Sequence, residues 1–241
     1  MRELRIVYMG TPDFAVYPLQ KLLEAGHKVV AVVTNPDKPA GRGQKIQESP
    51  VKKFAVEKGI PVLQPERFRD ERFLEELRAF QADLQLVVAF KMLPEVVWNM
   101  PPLGTVNLHA SLLPDYRGAA PINWAVLNGE KVTGVTIMYM AAELDAGDII
   151  RVAETPIDPD EDAQTLTARL ALLGADALVQ TVHDLTAGTA TRTPQEHDKH
   201  TYAPMLDKSM SPMDFTKPAQ QLHNQVRGLI PWPCATMELN G

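Results

Sequence analysis

The first 34 residues narrow the fold more than any other part of the chain. An apolar run, Leu4 to Met9 (LRIVYM), meets Gly10-Thr11-Pro12, and the stretch from Asp13 to Ala25 that follows closes on Gly26. Proline is tolerated in the first turn of a helix because the N–H it lacks has no intrahelical partner there. A helix is therefore predicted over Asp13–Ala25. Lys28 to Thr34 (KVVAVVT) reads as a strand buried on both faces, the usual setting of a continuous valine-rich run of this length. Strand, helix and strand in this order form a βαβ unit, which builds parallel sheets with right-handed crossovers. The expected class is α/β: a Rossmann-like, open, mostly parallel sheet with flanking helices.

The rest of the chain continues the alternation. Helices are predicted over Pro50–Lys58, Asp70–Gln81, Pro121–Asn128 and Ala163–Leu185, the last with Leu166, Leu170, Leu173, Ala177 and Leu178 in one apolar stripe. Strands are predicted over Asp83–Phe90, Gly104–His109, Thr133–Met140 and Asp148–Glu154. Asn35–Ser49 (NPDKPAGRGQKIQES) reads as a loop, and an irregular stretch begins at Gly188. A final helix over Lys217–Gly228, a rigid Pro231-Trp232-Pro233 turn and an apparent strand from Ala235 to Leu239 come last. The expected organisation is a first domain over 1–188, a linker over 189–204 and the start of a second domain over 205–241.

At 241 residues, 45% hydrophobic and 22% charged, the chain can bury a sizeable core and has no signature of disorder. No apolar stretch is long enough for a signal-peptide core or a membrane span, and Cys234 is the sole cysteine; a cytoplasmic, monomeric protein is expected. The net charge of −6 argues against nucleic-acid binding by the surface as a whole, but not by a locally basic segment.

A glycine after the first strand invites a nucleotide-binding reading. The sequence there is G-T-P-D-F-A, without the two later glycines that let a pyrophosphate approach, and no G-x-x-x-x-G-K-[ST] occurs. A plain nucleotide-binding module is disfavoured, and Gly10 and Pro12 read as a tight strand-to-helix turn. No C-x-x-C or H-E-x-x-H is present, so no metal site is expected. Ser111 lacks the G-x-S-x-G surroundings of an activated nucleophile.

The chemistry concentrates in Asn107-Leu108-His109 and the following Ala110-Ser111-Leu112-Leu113-Pro114-Asp115-Tyr116-Arg117-Gly118. Side chains alternate along a strand, so Asn107 and His109 share one face and Leu108 takes the other. Both lie near the carboxyl end of a strand, where open parallel sheets bind ligands. A carboxamide can donate to a developing oxyanion while an imidazole handles a proton. A third group must orient the histidine; Asp145 and Asp148 both qualify, and spacing does not choose between them.

These residues also carry a resemblance. The run NLHASLLPDYRGAAPINWAVLNGE, followed by TGVTIMYMAAELDAGDII, resembles the methionyl-tRNA formyltransferases, as do the opening IVYMGTPDFAV and the loop NPDKPAGRGQKIQESPVK. The similarity covers nearly the whole chain. The SLLPxYRGxAPI string is shared with the wider superfamily using 10-formyltetrahydrofolate, which includes sugar-nucleotide formyltransferases; the GTPDFA opening and PAGRG loop are narrower.

The resemblance implies transfer of a formyl group from 10-formyltetrahydrofolate to the methionyl amine of initiator tRNA, through a tetrahedral intermediate and without a metal. Its catalytic residues fall on Asn107, His109 and Asp145, which favours Asp145 over Asp148. Its folate contacts fall on Ser111, Leu112, Leu113 and Pro114 and on the Phe90, Met92 and Leu93 loop. Its tRNA-reading loop falls on Asn35–Ser49, with Lys38, Arg42 and Lys45. It also implies that residues from about 205 onward begin a barrel-like (OB-like) carboxyl-terminal domain. Lys91 and Ala141-Ala142 depart from the commoner family residues. The alternatives are a formyltransferase for an amino sugar nucleotide, and a folate-binding protein without catalysis.

Overall fold

The computed structural model describes residues 3–40 and 45–239. Strand β1 (Arg5–Gly10) leads through a 3-10 turn, Asp13–Ala15, into helix α1 (Val16–Glu24), and β2 (Lys28–Val33) follows. Next come β3 (Lys38–Ala40), β4 (Lys45–Gln47), α2 (Pro50–Glu57), β5 (Val62–Leu63) and α3 (Glu71–Ala79). The middle of the chain forms β6 (Leu84–Val88), α4 (Glu95–Trp98), β7 (Thr105–His109), β8 (Arg117–Gly118) and α5 (Pro121–Leu127). Strands β9 (Val132–Tyr139) and β10 (Ile149–Pro156), helix α6 (Ala163–Ala187), strand β11 (Tyr202–Ala203) and helix α7 (Ala219–Gly228) complete it.

Seven strands form the main sheet in the order β10-β9-β7-β6-β1-β2-β5. From β7 to β5 every pair is parallel, and β9 alone runs against the rest. The chain leaves β1 towards β2 and β5, then crosses back to β6 on the other side of β1. This reversal opens a crevice at the carboxyl ends of β1 and β6, where a doubly wound sheet receives its ligand.

Strand alternation divides the core in two. Ile6 and Tyr8 face α1, α2, α5 and α6, among them Leu19, Leu22, Val51, Leu166 and Leu170; Val7 and Met9 face α3 and α4, with Phe73, Leu77 and Val97. Three helix starts, those of α2, α3 and α6, carry side-chain caps. The side chains of Ser49, Asp70 and Asp162 accept the N–H groups of Lys52, Phe73 and Thr165. At Gly10 a side chain is excluded by proximity, since a Cβ would lie 2.7 Å from the Ala15 Cβ and 3.0 Å from the Val88 carbonyl oxygen. The glycine lets the β1 turn close against the end of β6.

Several elements differ from expectation. The first helix opens with the 3-10 turn, and β5 and α4 have two and four residues, too few for periodicity to reveal them. Asn35–Ser49 contains the β3–β4 hairpin, with Lys38 opposite Gln47, in place of a plain loop. The strand expected over Ala235–Leu239 reduces, among the described residues, to one bridge between Thr236 and Pro212. Helix α7 docks on α5 and the start of α6: the Asn123 side chain donates to the Gly228 carbonyl (2.8 Å), and buried Arg227 donates to the Glu161 carbonyl (2.7 Å). Residues of 189–204 pair with earlier parts of the chain through the parallel β8–β11 strands and the Ile149–Thr193 bridge.

Candidate active site

Two cavities meet at the end of β7. A cleft of about 620 Å³, within the usual range for small-molecule sites, opens at the carboxyl edge between Pro12 and Phe14, Ala89 and Phe90, His109, and the Gly118–Asn123 stretch. A tighter recess of about 110 Å³ runs down the sheet face beneath the 140–146 loop, between that loop, Met138 and the Phe90–Leu93 loop. Asn107, Phe90, Leu144 and Asp145 line both. Met92 and Leu93 line the recess with Phe90, so the structure brings these three expected contacts together with Asn107.

The recess exists because β9 runs backwards. Asn107 pairs with Met138 and Val106 with Tyr139, so the chain leaves β9 at the amino edge of β7. It returns through residues 140–148 across the face bearing Asn107 and His109. On the opposite face Leu108 packs against Gly174 of α6, whose missing side chain makes room for it.

His109 is nearly buried, and one hydrogen bond fixes its ring. Nε2 lies 2.8 Å from the Tyr116 carbonyl oxygen. A carbonyl only accepts, so in this hydrogen bond Nε2 carries the proton. In the neutral ring Nδ1 is then a lone pair, and it lies 3.7 Å from Asp145 Oδ2. That distance is too long for a hydrogen bond but short enough for a strong ionic attraction once Nδ1 gains a proton. Asp145 is itself held by the Gly118 N–H, which donates to Oδ2 at 2.9 Å. Asp148 lines neither cavity, so the geometry places Asp145, of the two candidates, against the histidine. Among the described residues nothing hydrogen-bonds the Asn107 carboxamide, which is left facing both cavities.

The backbone is strained around this centre. Ala89, Tyr116 and Asp145 have φ of +46°, +60° and +51°, a region costly for residues other than glycine. Such conformations persist where surrounding contacts enforce them, and they concentrate at functional sites.

The Ser111–Pro114 turn, expected to contact folate, packs against β9. None of its four residues lines either cavity. Ser111 is fully buried and donates to the Asp115 carbonyl (2.6 Å), Leu112 packs against Gly134, and the Leu113 N–H donates to Thr136 Oγ1 (3.1 Å). Anchored to β9 in this way, the turn positions the Tyr116 carbonyl and Gly118 N–H that hold His109 and Asp145.

The β3–β4 hairpin rises from the carboxyl end of β2, on the same edge as the cleft. Its base is tied down where Asn35 N–H donates to Thr11 Oγ1 (3.3 Å) and Gln64 Nε2 donates to Asp37 Oδ1 (2.8 Å). Lys38 is exposed on β3; Arg42 lies outside the described residues, and of Lys45 only the strand position is described. Lys52, which follows the hairpin, is engaged by Asp37 and Glu48, and hydrogen bonding from Lys52 holds Asp37 below the usual carboxylate range. No group of three or more potential metal ligands occurs among the described residues, nor is any of their helices long and apolar enough to cross a membrane.

The formyl transferase family model matches residues 4–182, and the model of the formyl transferase carboxyl-terminal domain matches 205–241. The chain belongs to the formyl transferase family. Methionyl-tRNA formyltransferase of Parabacteroides distasonis is 54% identical over 243 residues, covering 98% of this chain and 75% of the relative. That of Lachnospira eligens is 52% identical over 239 residues, covering 99% and 76%. Among solved structures, the N-formyltransferase of Helicobacter canadensis in complex with folinic acid and dTDP-3-aminofucose superposes with a TM-score of 0.72. At 21% identity over 98% of this chain and 84% of that one, it shares the family's fold.

Sequence reasoning passed over Pro12 and Phe14 as cleft walls, the Tyr116 carbonyl and the Gly118 N–H. The last two are main-chain groups whose role depends on the turn's path, which side-chain patterns do not record.

Proposed function

We propose that the chain transfers the formyl group of 10-formyltetrahydrofolate to the α-amine of methionyl initiator tRNA. One observation carries the chemistry: a free carboxamide, an imidazole lone pair and a carboxylate converge where the two cavities join. The recess, walled by Phe90, Met92 and Leu93, suits a flat heteroaromatic ring, which would place the donor's N10 at the junction beside Asn107. The wider cleft leaves room for the acceptor.

In this reading the amine nitrogen attacks the formyl carbon, and the carbonyl electron pair moves onto oxygen. Asn107 donates a hydrogen bond to that oxyanion. His109 Nδ1 takes the proton released by the amine, and the resulting imidazolium is held by the Tyr116 carbonyl and by Asp145. Collapse re-forms the carbonyl and breaks the bond to N10, which takes a proton from His109. No net proton is gained or lost, and no metal is called for.

The acceptor assignment is supported by the methionyl-tRNA formyltransferases that share about half of this sequence. It is also supported by Lys38, exposed on the hairpin that rises on the cleft edge, where tRNA phosphates would pass. The division into a catalytic domain over 1–188, a connecting stretch and a tRNA-binding domain beginning near 205 belongs to the same reading. The test offers the purified chain 10-formyltetrahydrofolate with either methionyl initiator tRNA or an amino sugar nucleotide, and identifies the formylated product. Formyl-methionyl-tRNA supports the proposal; formylation confined to the sugar nucleotide rejects the acceptor while keeping the chemistry.

A further inference from the structure

Asp145 is poorly placed to hold itself. It lies in a loop between two strands, in a left-handed backbone conformation, yet its carboxylate must stay against His109. The contact that fixes the loop comes from 50 residues further along. Gln195 Nε2 donates to the main-chain carbonyls of Asp145 and Gly147, both at 2.8 Å, and Gln195 Oε1 accepts from Arg117 Nη2 at 2.8 Å. Gln195 is almost fully buried and Arg117 completely so. Arg117 also reaches Glu143, in the same loop, at 3.3 Å. Neighbouring pairs fix Gln195 from both sides, Thr193 with Ile149 and Tyr202 with Arg117.

The chemistry requires a primary amide. Its NH₂ group serves both carbonyls, its oxygen serves a guanidinium, and no other uncharged side chain offers that set in one plane. Arg117 immediately precedes Gly118, whose N–H holds the Asp145 carboxylate. The main chain and the carboxylate of Asp145 are therefore referenced to the same two-residue strand, one through Gln195 and the other directly.

We propose that Gln195 is a positioning residue for formyl transfer, its carboxamide clamped by Arg117 and setting the Asp145 loop against His109. The inference rests on the catalytic reading of Asn107, His109 and Asp145. Gln195→Glu isolates the effect: the side chain keeps its volume and still accepts from Arg117, but sets an acceptor oxygen against two carbonyls. Small misplacements of catalytic groups cost up to about 10²-fold in rate, so a kcat loss of roughly 10- to 100-fold is expected. KM for either substrate should stay close to wild type, while the melting temperature falls because buried acceptors then face one another. Gln195→Met, which removes the donors without adding charge, should act in the same direction and replaces Gln195→Glu if that variant does not fold.

The deciding readout is a double-mutant cycle with Asp145→Asn. If Gln195 acts through Asp145, Gln195→Glu costs little further kcat in the Asp145→Asn background. An equal fold-loss in both backgrounds overturns the proposal, as does an unchanged kcat in the folded single variant. An Asp145→Asn variant with wild-type kcat would instead reject the catalytic reading itself, and the inference with it.

Discussion

Replacing Asp145 with asparagine should remove a charge and little else. Asparagine tolerates the left-handed backbone at this position, and its Oδ1 can still accept the Gly118 N–H. What disappears is the carboxylate 3.7 Å from His109 Nδ1. At that separation and an effective dielectric of about 20, a full imidazolium–carboxylate attraction is about 4.5 kcal/mol. A ring that is half-charged in the transition state realises about 2 kcal/mol of this, or roughly 40-fold in rate; the full value corresponds to roughly 2000-fold. The chemical step should therefore slow by a factor between these figures. Single-turnover transfer with both substrates saturating reads that step without product release. Folate affinity should not change, because the carboxylate does not hold the pterin in this account. Asp145→Ala is the comparator: it loses the charge too, but puts alanine in the left-handed region at a cost of about 1–2 kcal/mol, so its melting temperature should fall while that of Asp145→Asn holds. A folded Asp145→Asn enzyme slowed by less than about fivefold would refute the electrostatic role, being well under the smaller figure above.

Asn107→Ala should lower kcat by about 10²–10³-fold, the usual loss of one oxyanion donor, with an unchanged melting curve by circular dichroism. Gly10→Ala forces a Cβ to within 2.7 Å of Ala15 and should destabilise the fold by about 1–3 kcal/mol, read as a lowered urea midpoint. Lys38→Ala and Arg42→Ala should each raise KM for tRNA and flatten its salt dependence while leaving folate binding alone; equal loss of both would point to misfolding.

The sheet was legible where burial imposes a pattern. The valines of β2 and the apolar run of β1 are covered on both faces, and such strands announce themselves. Asn107 and His109 were found through strand alternation and a position near the carboxyl end, and the structure does place them on one face. Asp145 was harder. Its backbone conformation usually belongs to glycine, and nothing local marks it over Asp148; the resemblance favoured it, and it lies 3.7 Å from His109. The β3–β4 hairpin escaped because it lies apart from the sheet core, with Lys38, Pro39, Ile46 and Gln47 all exposed. The support that the Ser111–Pro114 turn gives the site was not legible, because it acts through the main-chain groups just beyond it. Gln195 was invisible to the sequence, since its partners lie 50 and 78 residues away and only the tertiary return of the 189–204 stretch brings them together.

The most direct test follows the one-carbon unit itself. The purified chain would be given 10-formyltetrahydrofolate labelled in the formyl carbon together with methionyl initiator tRNA, beside His109→Ala at the same concentration. The account predicts label on the methionyl nitrogen, formed by the wild-type chain and nearly abolished in the variant. A folded, folate-binding wild-type chain that leaves the tRNA unlabelled, or a His109→Ala chain that labels it at the wild-type rate, would contradict it.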